Sequence, residues 1–308
     1  MKLISENIHI ISKDIKQAVL DKNEDFIRNL LAKQIKTNPD WIDLNVGPAK
    51  KSFAGTMEWL VNIVNSMTDI PISLDSTNAG EILSGLKLVK NPEKCIINST
   101  SADLERLEPL SEIAAEFNSY LIALTLNNEI GIPKMADSRL ELAFQMLETT
   151  AEKGIDNSKL ILDPLVLPLA VDQSQASQAL DAIRMFKESF DPPVLTTIGL
   201  SNVSNGCPKE LRPLINQTFL ILGAGCGLDT AIVDSFDSEL IRINKLLDSR
   251  TVEKDYDKFI LSLFDLMQNF GELEDLKYNK DNQYETKLYK TAEILLDKKI
   301  YSNSYLEI

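Results

Sequence analysis

Two hydrophobic patterns alternate along the chain. Short apolar, β-branched runs recur at Lys2–Ile8, Ile42–Val46, Ile72–Leu74, Cys95–Asn98, Leu121–Leu126, Leu160–Leu162, Val194–Leu200 and Thr230–Val233. Each has the length of one strand and is too short for a helix. Between them lie segments whose apolar residues return every three or four positions. In Ala54–Ser66, Met57, Leu60, Val61 and Val64 share one face, with Trp59 beside it. In Ala136–Lys153 the face is Leu140, Leu142, Ala143, Met146 and Leu147. Thr77-Asn78 ahead of Ala79–Val89, and Ser101 ahead of Ala102–Leu110, offer side-chain oxygens to helix N-termini. Strands alternating with helices predict parallel βαβ units, and eight units predict a closed (β/α)8 TIM barrel. An open doubly wound sheet would carry Gly-x-Gly-x-x-Gly after its first strand, where this chain has Ser5-Glu6-Asn7-Ile8-His9.

After the eighth strand the rhythm changes. Asp237–Lys290 is charged and poor in glycine and proline. Within it, Lys258–Met267 has a two-turn apolar face, and the polar stretch Asp275–Glu285 reads as a loop or a poorly ordered segment. Thr291–Asp297 then reads as the last barrel helix. We therefore expect one barrel domain over residues 1–308, with 237–290 a helical insertion in the last βα unit.

Composition removes several function classes. Of 308 residues, 44% are apolar and 25% charged, enough for a sizeable core. A net charge of −14 repels phosphate backbones and argues against a nucleic-acid partner. No apolar run has the length of a membrane span, and Met1–Glu6 lacks a signal-type apolar region, so a cytoplasmic protein is expected. Three cysteines without a Cys-x-x-Cys pair argue against a disulfide framework, a zinc knuckle or an iron–sulfur cluster on this chain. Cys95 and Cys226 read as buried fillers and Cys207, beside Pro208, as open to solvent. The single histidine, His9, excludes a histidine-rich metal site. Trp41 and Trp59 read as core residues.

In such a barrel the chemistry comes from strand C-termini and the loops after them. There the chain places Glu6 and Asn7, Asp43 and Asn45, Asp75, Asn98, Thr125 and Asn127, Asp163, Ser201 and Asn202, and Asp234. Any one of these alone is more often a cap or a satisfied backbone partner. Eight strands ending this way point instead to a cup lined for a ligand, because unpaired buried polar groups are costly. The strand ends are poor in lysine and arginine, whereas a phosphate would need a basic clamp or a nest. A flat, nitrogen-rich heterocycle needs the reverse. A carboxylate accepts two parallel N–H bonds from an amino-pyrimidinone edge, and amides serve the remaining nitrogens and carbonyl. Asp75, Asn98 and Asp163 have that chemistry.

The ordered strings Asp43-Leu44-Asn45-Val46-Gly47-Pro48, Met57-Glu58-Trp59-Leu60, Leu74-Asp75-Ser76-Thr77-Asn78, Ile97-Asn98-Ser99-Thr100, Asp163-Pro164-Leu165, Gly199-Leu200-Ser201-Asn202-Val203-Ser204 and Arg212-Pro213-Leu214-Ile215-Asn216 resemble the methyltetrahydrofolate:corrinoid/iron–sulfur protein methyltransferases. These are pterin-binding TIM barrels. The resemblance covers about residues 1–236 and resumes at Thr291–Tyr301. It implies a homodimer that binds methyltetrahydrofolate and passes the nitrogen-5 methyl to the Co(I) of a cobalamin-type corrinoid. A partner, the corrinoid iron–sulfur protein of the acetyl-CoA (Wood–Ljungdahl) pathway, supplies that corrinoid, and this chain itself binds no metal. By position, Asp75, Asn98 and Asp163 correspond to the pterin-binding residues, and Asn202 to the asparagine near nitrogen-5. Ser201, Asp43 and Asn45 complete the expected substrate-binding set.

Some features depart from that pattern. The family's first strand ends Glu-Arg-Ile-Asn, whereas this one ends Glu6-Asn7-Ile8-His9. His9 is either a polar pocket residue or a packed rim residue. Its surroundings, Asn7-Ile8-His9-Ile10-Ile11-Ser12, do not match the Asp-x-His-x-x-Gly motif of corrinoid carriers. Lys50 and Lys51 are open to two readings, a contact for a glutamate tail or acidic partner, or a solvated face. A related barrel of an O-demethylase or methyl-halide system would run the same chemistry in reverse, from methylcorrinoid to tetrahydrofolate. A dihydropteroate synthase fits less well, since Leu200-Ser201-Asn202-Val203 stands where a Ser-Arg-Lys string belongs. A non-catalytic pterin-binding barrel is the alternative of another class.

Overall fold

In the computed structural model, which describes residues 1–47 and 54–307, eight parallel strands curl into a nearly closed barrel. They are β1 (Lys2–His9), β2 (Trp41–Gly47), β3 (Ile72–Ser76), β4 (Ile96–Ser101), β5 (Tyr120–Leu124), β6 (Leu160–Asp163), β7 (Leu195–Thr196) and β8 (Thr230–Val233). Each pairs with its neighbours in sequence, and β1 pairs with both β2 and β8. The seam between β7 and β8 closes through a single bridge, Gly199 to Ile232, where the Ile232 N–H donates to the Ile198 carbonyl at 2.9 Å. Lys50 and Lys51 lie outside the described residues.

Helices fill the outside: α1 (Lys13–Leu20) and α2 (Glu24–Thr37), α3 (Thr56–Met67), α4 (Ala79–Leu86), α5 (Leu104–Phe117), α6 (Ala136–Glu152), α7 (Ser174–Ser189) and α8 (Arg212–Gly225). After β8 come α9 (Ser238–Ser249), α10 (Asp257–Gln268) and α11 (Gln283–Leu295), all three packed on α8. Asp237 caps α9 by accepting the Leu240 N–H at 3.0 Å. No helix among the described residues is long and apolar enough to cross a membrane.

Strand alternation decides what faces inward. Ile42, Leu44 and Val46 of β2, Ile72 and Leu74 of β3, and Leu160 and Leu162 of β6 pack outward against the helices. The alternate positions point into the barrel. Ile4, Trp41, Ile96, Ile122 and Ile161 form a small apolar cluster of their own at the lower level. Two residues further along the same strands, the period-2 repeat delivers Asp43, Asn98 and Asp163 on the same inner face. The barrel is thus plugged below by branched apolar side chains and lined above by acids and amides.

Several boundaries differ from expectation. β7 shrinks to two residues because the chain leaves the sheet early and enters a tight 3-10 turn at Leu200–Asn202. Ser101 lies inside β4, paired opposite Leu124, and its hydroxyl donates to Asp103, which precedes α5. The last helix starts at Gln283, inside the stretch read as a loop, because the Asn282 side-chain oxygen accepts the N–H groups of both Tyr284 and Glu285. Cys207 is buried at 2% exposure, in the cluster that also contains Leu211 and Leu214, rather than open to solvent.

Candidate active site

A cavity of about 760 Å³ opens at the C-terminal mouth of the barrel. Asp43, Asn45, Asp75, Asn98, Asp163, Ser201 and Asn202 all line it, with Glu6, Asn7, His9 and Asp234. Thr125 and Asn127 do not. The Thr125 hydroxyl donates to the Asp163 carbonyl at 3.2 Å, and the Asn127 side-chain oxygen accepts the Ile130 N–H at 2.9 Å, so both serve local turns.

On one wall, β2, β3 and β4 set their inward polar residues in register, Asn45 opposite Asp75 and Asp75 opposite Asn98. Asn45 donates its amide to Asp75. Asp43 sits deeper and accepts the Ser73 hydroxyl at 2.6 Å and the Asn98 amide at 3.2 Å. The second bond fixes the Asn98 side chain, whose carbonyl oxygen makes no hydrogen bond among the described residues. On the opposite wall, Asp163 is buried and accepts the Leu165 N–H at 2.7 Å. The fully buried Arg139 of α6 acts on Asp163 through its charge and is bonded to the Pro133 carbonyl and the Gln175 side chain.

Burial dominates the electrostatics. It pushes the carboxyl groups of Glu6, Asp75 and Asp163 each up to about 7. Asp43 is pushed well above the ordinary range, first by burial and then by the charge of Asp75. Glu6, Asp75 and Asp163 therefore change charge near neutrality, where ordinary carboxylates are fully ionised. His9, half-buried, is lowered by burial and is neutral at pH 7, and its Nδ1 has no hydrogen-bond partner among the described residues.

The seventh βα connection completes the cup. In the turn after β7, Ser201 donates its hydroxyl to Glu6 of β1. Asn202 is solvent-exposed within the cavity, and its amide makes no hydrogen bond among the described residues. Its Nδ2 lies over Gly199, only 2.8 Å from where a Cβ on that glycine would sit. Asn7 stitches the first strand to the last: its amide donates to Asp234 at 2.6 Å and its oxygen accepts the Ser235 hydroxyl at 2.8 Å.

Sequence reasoning missed two cations. Lys209 and Arg212 line the cavity, although the strand ends themselves are poor in basic residues. Lys209 comes from the long β7–α8 connection and Arg212 is the first residue of α8, both far in sequence from a strand end. The available signal was Arg212-Pro213: a proline at the first turn marks a helix start, and in this barrel a helix after a strand starts at the mouth. Glu6 was visible as a strand-end acid, but its link to Ser201 crosses over β8 and has no local sequence signature.

A family model described as "Pterin binding enzyme" matches residues 19–234. The chain belongs to the pterin-binding enzyme family. A methylcorrinoid:tetrahydrofolate methyltransferase of Eubacterium limosum is 27% identical over 243 residues, covering 78% of this chain and 88% of that protein. The methionine synthase of Mycobacterium leprae is also 27% identical, over 76% of this chain, but the matched region is only 20% of its length. Among solved structures, a Yersinia pestis dihydropteroate synthase superposes with a TM-score of 0.56 at 16% identity, covering 80% of this chain and 94% of its own. That likeness shows that this pterin-binding enzyme shares the barrel fold.

Proposed function

We propose that this protein is a methyltransferase that moves a methyl group between nitrogen-5 of tetrahydrofolate and the cobalt of a corrinoid carried by a partner protein. The observation that carries the reading is the cup itself. Half-buried Asp75 and the buried Asn98 and Asp163 surround a space in which the free side-chain amide of Asn202 stands to one side. The acids suit the N–H donors of an amino-pyrimidinone. A methyl attached to nitrogen departs slowly unless charge building on that nitrogen is met by a donor, and Asn202 is such a donor, already in place. Co(I) is the attacking nucleophile and belongs to the partner as substrate, so the chain needs no nucleophilic side chain. The relationship to the Eubacterium limosum methyltransferase supports the same pair of substrates.

The resemblance of the strand-end strings to methyltetrahydrofolate:corrinoid/iron–sulfur protein methyltransferases supports a finer reading: a homodimer, a corrinoid iron–sulfur partner and the acetyl-CoA pathway. A second reading, methylcorrinoid to tetrahydrofolate, is favoured by the name of the Eubacterium limosum relative. Both directions use one pocket. The deciding measurement is single-turnover methyl transfer between methyltetrahydrofolate and free cob(I)alamin, followed by the cobalt absorption spectrum. We expect transfer. A purified protein that binds the pterin and moves no methyl in either direction refutes the enzyme reading and leaves a binding barrel.

A further inference from the structure

We propose that Glu6 is the group that exchanges a proton with nitrogen-5 as the methyl is transferred, and that Ser201 is its positioning partner; this rests on the methyl-transfer reading above. The geometry comes first. Glu6 is on β1 and Ser201 follows β7, so their hydrogen bond spans the end of β8 and crosses the rim of the cup. Ser201 donates to Oε1, and Oε2 has no hydrogen bond among the described residues, in a side chain that lines the cavity. The next residue is Asn202, with its unpaired amide in the same space. An amide can donate a hydrogen bond, but it has no proton to give up. The reaction consumes one.

As cobalt attacks, the methyl carbon forms its bond to cobalt with an electron pair from Co(I), which becomes Co(III). The carbon–nitrogen bond breaks and its electron pair stays on nitrogen-5. That nitrogen takes a proton from the Glu6 carboxyl, directly or through one water, leaving a carboxylate that solvent reprotonates. In reverse, the carboxylate takes the N–H proton as nitrogen attacks the methyl, and Co(III) returns to Co(I).

The other acids of the cup are committed elsewhere. Asp75 and Asp163 must be ionised to accept the pterin's N–H groups. Asp43 is buried behind Asn98, with one oxygen shared by Ser73 and Asn98. Asp234 is exposed at the rim, where one of its oxygens accepts from Asn7 and from the Phe236 N–H. Glu6 remains, and its surroundings keep a proton on it near neutrality. Burial pushes its carboxyl up to about 7, and the charges of Asp43 on β2 and Asp234 after β8 push the same way, against the Ser201 hydrogen bond. Asp75 on β3 faces the same acid, while Lys209, Arg212 and the neutral His9 share the cavity. An acid titrating near the working pH is suited to proton transfer in both directions.

The test is the pH profile of single-turnover transfer from methyltetrahydrofolate to cob(I)alamin in the wild type, Glu6→Gln and Ser201→Ala. We expect the wild-type rate to fall as pH rises through about 7. Glu6→Gln, close in shape to the protonated acid, should transfer roughly 10²–10⁴-fold more slowly, the ordinary worth of acid–base catalysis. It should also lose the titration, with pterin affinity changed only a few-fold. Ser201→Ala removes the bond that favours the carboxylate, so its profile should move to higher pH. That variant decides the matter if Glu6→Gln fails to fold. A Glu6→Gln enzyme that keeps the wild-type profile, or a Ser201→Ala profile that does not move, overturns the role of Glu6 while transfer itself stands. Absence of transfer in the wild type overturns the methyltransferase reading and this proposal with it.

Discussion

Asn202 owes its position to an atom that Gly199 lacks. With its amide nitrogen 2.8 Å from the place of a Cβ, the side chain folds back over the glycine and needs no hydrogen bond to stay in the cup. A donor placed in advance costs no reorganisation when charge develops, and the catalytic role proposed for Asn202 rests on that. Asn202→Ala should therefore lower the single-turnover rate by about 10²–10³ and weaken methyltetrahydrofolate binding far less. Gly199→Ala should push the amide aside and reproduce the rate loss without removing the asparagine. Rate and equilibrium titrations on both variants check this; equal losses in rate and affinity would sink the electrophilic role. The residue-scale picture was partly legible in sequence. Asp75, Asn98 and Asp163 are polar residues that end apolar runs, and a period of two puts them on the inner face as soon as the outer face is known. The dependence of Asn202 on Gly199, and of Ser201 on Glu6, was not legible. One is a matter of tenths of an ångström within a turn, and the other joins residues 195 apart in sequence.

Elements were legible where one pattern rules over a long stretch. The apolar faces of α3 and α6 start and stop within two residues of the predicted helices. Sequence reading failed where a side chain sets the boundary. Asn282 starts α11 in the middle of polar sequence, and Ser101, with the look of a cap, is drawn into β4 by pairing with β5. The short β7 was equally hidden, because Val194–Ile198 is an unbroken run of apolar and β-branched residues and only the barrel's closing bridge shows where the chain leaves the sheet. The α8–α10 contact gives a test at this scale. Gly225 ends α8 against α10, and a Cβ there would meet the Met267 Cβ at 2.5 Å and the Phe264 carbonyl oxygen at 2.7 Å. Backbone and Cβ atoms cannot swing away, so the helices must part. Gly225→Ala should cost about 1–3 kcal/mol. Helices in this barrel begin at the mouth, so the end of α8 is far from the cup, and pterin affinity should not change. Thermal melts and pterin titration separate the two effects. A variant that melts like the wild type would show that α10 does not sit closely on α8.

At the scale of the whole molecule, the cup gives up stability at neutral pH. Glu6, Asp75 and Asp163 are pushed up to about 7 in the folded protein, mainly by burial, and Asp43 is raised with them. An unfolded chain titrates these groups near 4. Between those values the folded state binds protons that the unfolded state has released. The contribution of Glu6, Asp75 and Asp163 is thus fully present below about pH 4 and is lost as pH rises through about 7. The net charge of −14 acts in the same direction by self-repulsion, but salt screens that part and leaves the buried part largely intact. Tm of the ligand-free protein should accordingly fall by several degrees between pH 5.5 and pH 8, and high salt should remove only a fraction of the fall. A ligand that donates N–H groups to Asp75 and Asp163 binds their ionised forms, so the rise in Tm on adding a pterin should grow over the same interval. Asp163→Asn joins the two trends in one variant. Its side-chain oxygen can still accept the Leu165 N–H, while the neutral amide removes the buried charge beside the apolar core. That variant should melt above the wild type at pH 8, show a flatter dependence on pH, and bind pterin at least about tenfold more weakly for want of a charge-assisted acceptor. Melts across pH with and without ligand measure all three. A less stable Asp163→Asn with undiminished pterin affinity would mean that Arg139, not the ligand, is the partner for which Asp163 remains charged.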